Sequence, residues 1–161
     1  MLNKNLTDTF TTIVSNYKPV KARLMEIEKK TDADLALAAI KNGESFDAVA
    51  KKYANDSYVS DSKIYYTGSD LPELVATFLQ AAHVPTLSDV MEDTDNKLFY
   101  IVQVNVADAN SIKEEIITTF TKDANFIELG LMGYYTSNKF KIYDRTLYDM
   151  IGTNYPDYII E

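Results

Sequence analysis

Cysteine is absent from these 161 residues, which excludes disulfides, thiolate nucleophiles and thiolate metal sites. A single histidine, His83, leaves no second imidazole for a zinc site, and no Ser-His-Asp set forms around it. With five glycines there is no glycine-rich phosphate loop. No apolar run approaches the ~20 residues of a spanning helix, and Met1-Leu2-Asn3-Lys4 does not lead into a signal-peptide core. The expectation is a cytosolic chain or a fragment excised from a longer one. Basic residues are few against acidic ones, 16 to 24 for a net charge of −8, so the basic footprint of a nucleic-acid or anionic-membrane partner is missing. Such a balance favours basic or neutral polypeptide partners.

What is present is globular. Hydrophobic residues make up 46% and charged residues 25%, enough to bury a core within one ordinary domain or a small domain with an appendage. Tryptophan is absent, but twelve tyrosines and five methionines supply amphipathic surface suited to loose polypeptide binding. Ordinary core and rim packing is the other use of the same residues.

The chain is organised around Thr31 to Tyr53. Ala33, Leu37 and Ile40 recur at helical spacing, as do Phe46, Val49, Ala50 and Tyr53, predicting two short helices joined by Lys41-Asn42-Gly43-Glu44. Thr31 followed by Asp34 reads as a helix start, Gly43 as a stop and Ser45 as a cap. Before this pair, Leu6, Phe10, Ile13 and Tyr17 share a helical face ending at Lys18-Pro19, and Val20 to Ile27 alternates like a strand. After it come a polar loop, a strand at Ser62 to Tyr66 and a turn at Thr67-Gly68-Ser69-Asp70. A helix then opens on Pro72-Glu73 and carries Leu74, Val75, Phe78, Leu79, Ala81 and Ala82.

Ser88 to Met91 is a short strand candidate, and Lys97 to Val104 is the clearest strand. Leu98, Tyr100, Val102 and Val104 lie on one face, Phe99 and Ile101 on the other. Asp93-Thr94-Asp95-Asn96 lacks the glycine and glutamate of a calcium loop and reads as a polar hairpin turn. Beyond Asn105 the pattern is helical. Ser111-Ile112-Lys113-Glu114 forms a capping box, Ile112, Ile116 and Phe120 start a stripe, and Phe126, Leu129, Met132 and Gly133 continue it. A short extended piece around Phe140 and Ile142 follows, and Asp144 caps a last helix with Leu147, Met150 and Ile151.

Lys41 to Tyr53, Lys-Asn-Gly-Glu-Ser-Phe-Asp-Ala-Val-Ala-Lys-Lys-Tyr, resembles the signature of the parvulin-type peptidyl-prolyl isomerase domain of PrsA-like foldases. Ser15 to Ala22 resembles the junction between the helical lobe and the parvulin domain of those proteins. Pro72-Glu73-Leu74-Val75, Val84 to Val90 and Asn138 to Asp144 are similar to their streptococcal and lactobacillal branch. The resemblance implies an α+β fold: a parvulin-like (FKBP-like) four-stranded antiparallel sheet with surrounding helices, plus flanking N- and C-terminal helices forming a helical lobe. It divides the chain into residues 1–18, an N-terminal helix of the chaperone lobe, residues 19–106, the parvulin-like domain, and residues 107–161, a C-terminal helical part packing with the N-terminal helix.

The chemistry implied is rotation about an Xaa-Pro amide, a barrier of roughly 18–20 kcal/mol, without cofactor or covalent step. An apolar cleft with a few polar groups suffices. The family's two histidines fall on Leu24 and Tyr100, and its Cys or Asp position on Asp56. The proline pocket falls on Leu74, with Asp70 or Leu71 before it. The candidate catalytic residues are thus Asp56 and Tyr100, and the candidate substrate-binding residues Leu24, Leu71, Leu74 and Phe78, with no metal and no cofactor.

Each has an ordinary reading too. Asp56 can organise a turn, Tyr100 can pack across strands, and His83 can interact with a helix C-terminus. Three functions follow: a foldase or chaperone fragment holding unfolded or proline-containing exported polypeptides, an active isomerase, or an adaptor binding one fixed protein partner. The resemblance further implies the extracellular face of a Gram-positive cell envelope, or the cytoplasm if the chain is complete, and allows a dimer.

Overall fold

The computed structural model describes residues 7, 10–56, 58–123, 126 and 142–154. The expected stripe through Leu129, Met132 and Gly133, the extended piece at Phe140 and Leu6 of the first helix lie outside them, as do Tyr134, Tyr135, Tyr155 and Tyr158. The chain divides into two units, Thr12–Lys113 and Met1–Thr11 with Glu114–Glu161.

The first unit is an antiparallel sheet with helices on both faces. Helix α1 (Phe10–Tyr17), which begins two residues before this unit, ends where Lys18 turns left-handed at φ 45° and Pro19 removes the next donor. Strand β1 (Val20–Ile27) follows. Next come α2 (Lys30–Lys41) and α3 (Phe46–Tyr53), strand β2 (Lys63–Tyr65), and α4 (Glu73–Ala81). Strands β3 (Thr86–Leu87), β4 (Met91–Asp93) and β5 (Leu98–Val106) complete the sheet. The strand order is β2-β1-β5-β3, with β4 also on β5.

Local signals set the connections. Gly43 sits at φ +98°, its N–H bonded to the Ile40 carbonyl, so α2 stops at the one residue type that adopts this conformation at little cost. Ser45 Oγ then accepts the Ala48 N–H at 3.2 Å and starts α3. The start of α2 differs from expectation: Lys29 is its cap and Thr31 lies inside the first turn.

Five strands form where four were expected, because the strand beside β5 is interrupted at Ser88. Its N–H donates to the Val102 carbonyl and its Oγ accepts the Val102 N–H, both at 2.9 Å. A side chain thus substitutes for the main-chain acceptor, and Ser88–Val90 leaves the ladder until β4 resumes at Met91. The Asp93 turn is a hairpin. Asp93 accepts from the N–H groups of Asp95 and Asn96, and Lys97 closes the turn at φ 56°.

The sheet buries two cores. On one face Met25, Ile27, Phe99 and Ile101 meet Ala33, Ala36, Phe46, Val49 and Ala50 of α2 and α3. On the other, Val20, Ala22, Tyr100, Val102 and Val104 meet Val75 and Leu79 of α4. Full burial of one such side chain stabilises by about 1.5–3 kcal/mol. Burial along β1 changes face partway: Val20 and Ala22 are buried on the α4 side, Met25 and Ile27 on the other. Leu24 and Glu26 are therefore left half-buried on the α4 face.

At the end of this unit a 3-10 turn (Ala109–Ile112) leads into α5 (Lys113–Phe120). Its cap is Asp108, whose carboxylate accepts the Asn110 N–H at 3.0 Å. Ser111, expected to cap, instead donates its hydroxyl to the Asp108 carbonyl at 2.7 Å. In the second unit Ile116, Ile117 and Phe120 are buried, and Phe120 stacks on Phe126 at 3.9 Å between centroids. Helix α6 (Arg145–Asn154) is capped as expected, Asp144 Oδ1 accepting the Leu147 N–H at 2.9 Å.

Candidate functional site

The α4 face of the sheet carries the candidate site. Antiparallel pairing sets Leu24 opposite Val102 and Glu26 opposite Tyr100. In this register the Tyr100 hydroxyl donates to Glu26 Oε2 at 3.2 Å. The other carboxylate oxygen, Oε1, accepts from Asn55 Nδ2, and the Asn55 N–H donates to the Glu26 carbonyl at 2.9 Å. The turn after α3 is thus clamped to β1 through one residue's side chain and main chain together.

Tyr100 is 4% exposed. Burial, then the neighbouring Glu26 charge and its hydrogen bond, then Asp93, push its phenol up to about 12. It stays a neutral donor committed to Glu26.

Beside this cluster lies a cleft of about 140 Å³ lined by Leu24, Glu26, Tyr58, Val59, Asp61, Lys63 and Tyr65. One of these residues, Tyr58, is anchored through a chain of polar contacts. Tyr58 donates its hydroxyl to Asp47 Oδ1, and burial followed by this bond raises its pKa. Asp47 Oδ2 pairs with Arg23 Nη1 at 3.0 Å. Arg23 Nε donates to Ser62 Oγ at 3.2 Å, and the Ser62 hydroxyl to Asn105 Oδ1 at 3.0 Å. Leu24 and Val59 supply the cleft's apolar lining beside the charged groups of Glu26, Asp61 and Lys63, an arrangement able to hold a small apolar group next to a carboxylate.

The structure brings most of the expected residues together. Leu24, Leu71, Leu74 and Phe78 are all partly buried and pack on the cluster that contains Tyr100. Asp56 is not brought in. It is exposed in the turn closed by the Tyr58 N–H on the Asn55 carbonyl, and its neighbour Asn55 reaches the sheet instead. Sequence reasoning missed Glu26, Asn55 and Tyr58. An acidic residue alternating along a strand reads as solvent-facing, and only pairing with a partner 74 residues away shows otherwise.

Among the described residues no group of three or more histidine, aspartate or glutamate side chains is placed to hold a metal ion. No helix among them is long and apolar enough to cross a membrane. His83 is exposed, two residues past the end of α4.

No protein-family model matches the sequence, and no curated protein is similar to it at the sequence level. Solved structures do match. The foldase protein PrsA from Streptococcus pneumoniae is 19% identical with a TM-score of 0.50, the match covering 98% of this chain and 65% of that one. PrsA from Bacillus subtilis is 15% identical with a TM-score of 0.56, covering 94% and 61%. The chain spans less than two thirds of either protein. At these identities the likeness is one of fold, and the α+β architecture is that of the PrsA foldases.

Proposed function

We propose that this chain, built on the fold of the PrsA foldases, holds extended polypeptides on the α4 face of its sheet rather than isomerising them. The observation that carries this reading is that face itself. One helix covers it, and Leu24, Leu71, Leu74 and Phe78 are left partly buried against the apolar cluster that holds Tyr100. A client's apolar side chain laid there removes further surface from water, at about 0.8 kcal/mol per buried CH2. Clients are unfolded or proline-containing segments, and the resemblance to PrsA would draw them from exported polypeptides.

Two features support holding over turnover. The Tyr100 hydroxyl already donates its hydrogen bond to Glu26, and Asp56 stands in an exposed turn. Neither is placed to favour a twisted amide over a planar one, which is what rate enhancement requires.

The test pairs binding with catalysis. Titrating labelled, permanently unfolded polypeptide into wild type and Leu24→Asp should show binding that the variant loses, because a carboxylate there sits unpaired on an apolar surface. Equal binding by both would sink the groove. In parallel, NMR exchange measurements on Xaa-Pro peptides should show no acceleration by the protein. Saturable acceleration abolished by Tyr100→Phe would replace holding with isomerisation.

A further inference from the structure

A second, larger concavity opens beside Leu74. It is a groove of about 660 Å³ between the first turn of α4 and the β4–β5 hairpin. Pro72 and Leu74 form its apolar wall, and Glu73, Glu92, Asp93 and Asp95 also line it. No lysine or arginine is among its described lining residues.

Of the four acids, Asp93 already has work in the fold, since its oxygens accept two backbone N–H groups and Asn96 Nδ2. Glu73, Glu92 and Asp95 are exposed. These carboxylates are strung along the groove, and no set of three converges as an ion site would require. A spread of like charge beside an apolar wall complements an extended segment carrying several cations, not a single ion.

The geometry points to a binding site for the basic part of a client: a lysine- or arginine-bearing stretch that lies in this groove while an adjacent apolar residue contacts Leu74. This rests on the holding function, because Leu74 belongs to both surfaces. It adds a substrate class, extended polypeptides with basic residues next to apolar or proline positions. The net charge of −8 would attract the same segments from a distance.

The experiment uses the whole chain and two fluorescein-labelled peptides, identical in their leucine and proline positions, one carrying a pair of lysines and the other glutamine in their place. Anisotropy titrations at low salt should give about fivefold tighter binding for the lysine peptide, the yield of two exposed charge contacts. Rising salt should erase the difference. The double variant Glu73→Gln, Asp95→Asn, at exposed positions that leave the Asp93 turn intact, should lose most of the lysine preference while binding the glutamine peptide as wild type does, the remainder reflecting Glu92 and the overall charge. Equal affinity of wild type for the two peptides, or a lysine preference undiminished in the double variant, overturns the groove's role and leaves the holding function standing. Failure of wild type to bind either peptide overturns both.

Discussion

The two faces of the sheet use the same strands differently. Toward α2 and α3, two helices close over Met25, Ile27, Phe99 and Ile101, and the helix residues beneath them, Ala33, Ala36, Val49 and Ala50, are small and nearly fully buried. Small side chains let helices approach closely and leave little to expose. Toward α4, one helix of nine residues covers Tyr100, Val102 and Val104, and a fringe of leucines and a phenylalanine remains half in water. One face stabilises the domain. The other keeps apolar surface within reach of a partner, at a cost in stability that the first face offsets.

Truncations on the two faces should separate them most clearly. Phe46→Ala removes a ring that is 3% exposed at the start of α3 and should cost about 3–5 kcal/mol. Leu74→Ala removes a half-buried side chain on the α4 face and should cost about 1 kcal/mol. Urea unfolding of both variants measures this, and equal losses would mean that the faces share the load. Binding should fall in the opposite order, with the Leu74 variant weakened and the Phe46 variant unchanged while it stays folded.

Tyr100 sits on the open face yet is buried, and its removal should have an intermediate effect. Tyr100→Phe withdraws a hydrogen bond to a carboxylate, an expected loss of about 1–2 kcal/mol near neutral pH. The folded protein holds this phenol up to about 12, against about 10 for an ordinary tyrosine. Its contribution is therefore complete below pH about 10 and is lost as pH rises through about 12. Wild type should lose stability more steeply over that window than Tyr100→Phe. The variant keeps the share of the fall due to Tyr58 and Tyr65, whose pKa values are also raised. Parallel alkaline profiles would show that neither burial nor Glu26 raises the Tyr100 phenol in the folded protein.

The contrast between the faces also explains what could be read from the sequence. Periodicity marked α2, α3, α4 and β5, and the alternation of Tyr100, Val102 and Val104 against Phe99 and Ile101 assigned the two cores correctly, because burial follows those periods. Gly43 and Ser45 announced their joints through local chemistry. Glu26 did not announce itself, since its role depends on which residue the pairing register sets opposite. Asn55 and Tyr58 lie in the connection between α3 and β2, which has no period to read. The break at Ser88 turns on one hydroxyl choosing the Val102 N–H, and nothing in Leu-Ser-Asp-Val signals it. The expected site was thus legible where apolar residues build it and illegible where polar side chains finish it.

The smallest effect belongs to the ion pair between Lys41 and Asp89. At 2.9 Å it joins the last turn of α2 to the break between β3 and β4, residues far apart in the chain. Position alone suggests a staple holding the edge strand to the covered face. Exposure argues otherwise: the two side chains are 56% and 86% accessible, so water and salt screen the attraction and ordering both chains costs entropy. Asp89→Ala should therefore shift the unfolding free energy by less than about 0.5 kcal/mol, with no further change when salt is raised. A loss comparable to that of Leu74→Ala would mean that charge, and not the apolar contacts under α2 and α3, fixes the edge of the closed face. The division between a face held by burial and a face left open for binding would then have to be redrawn at Ser88.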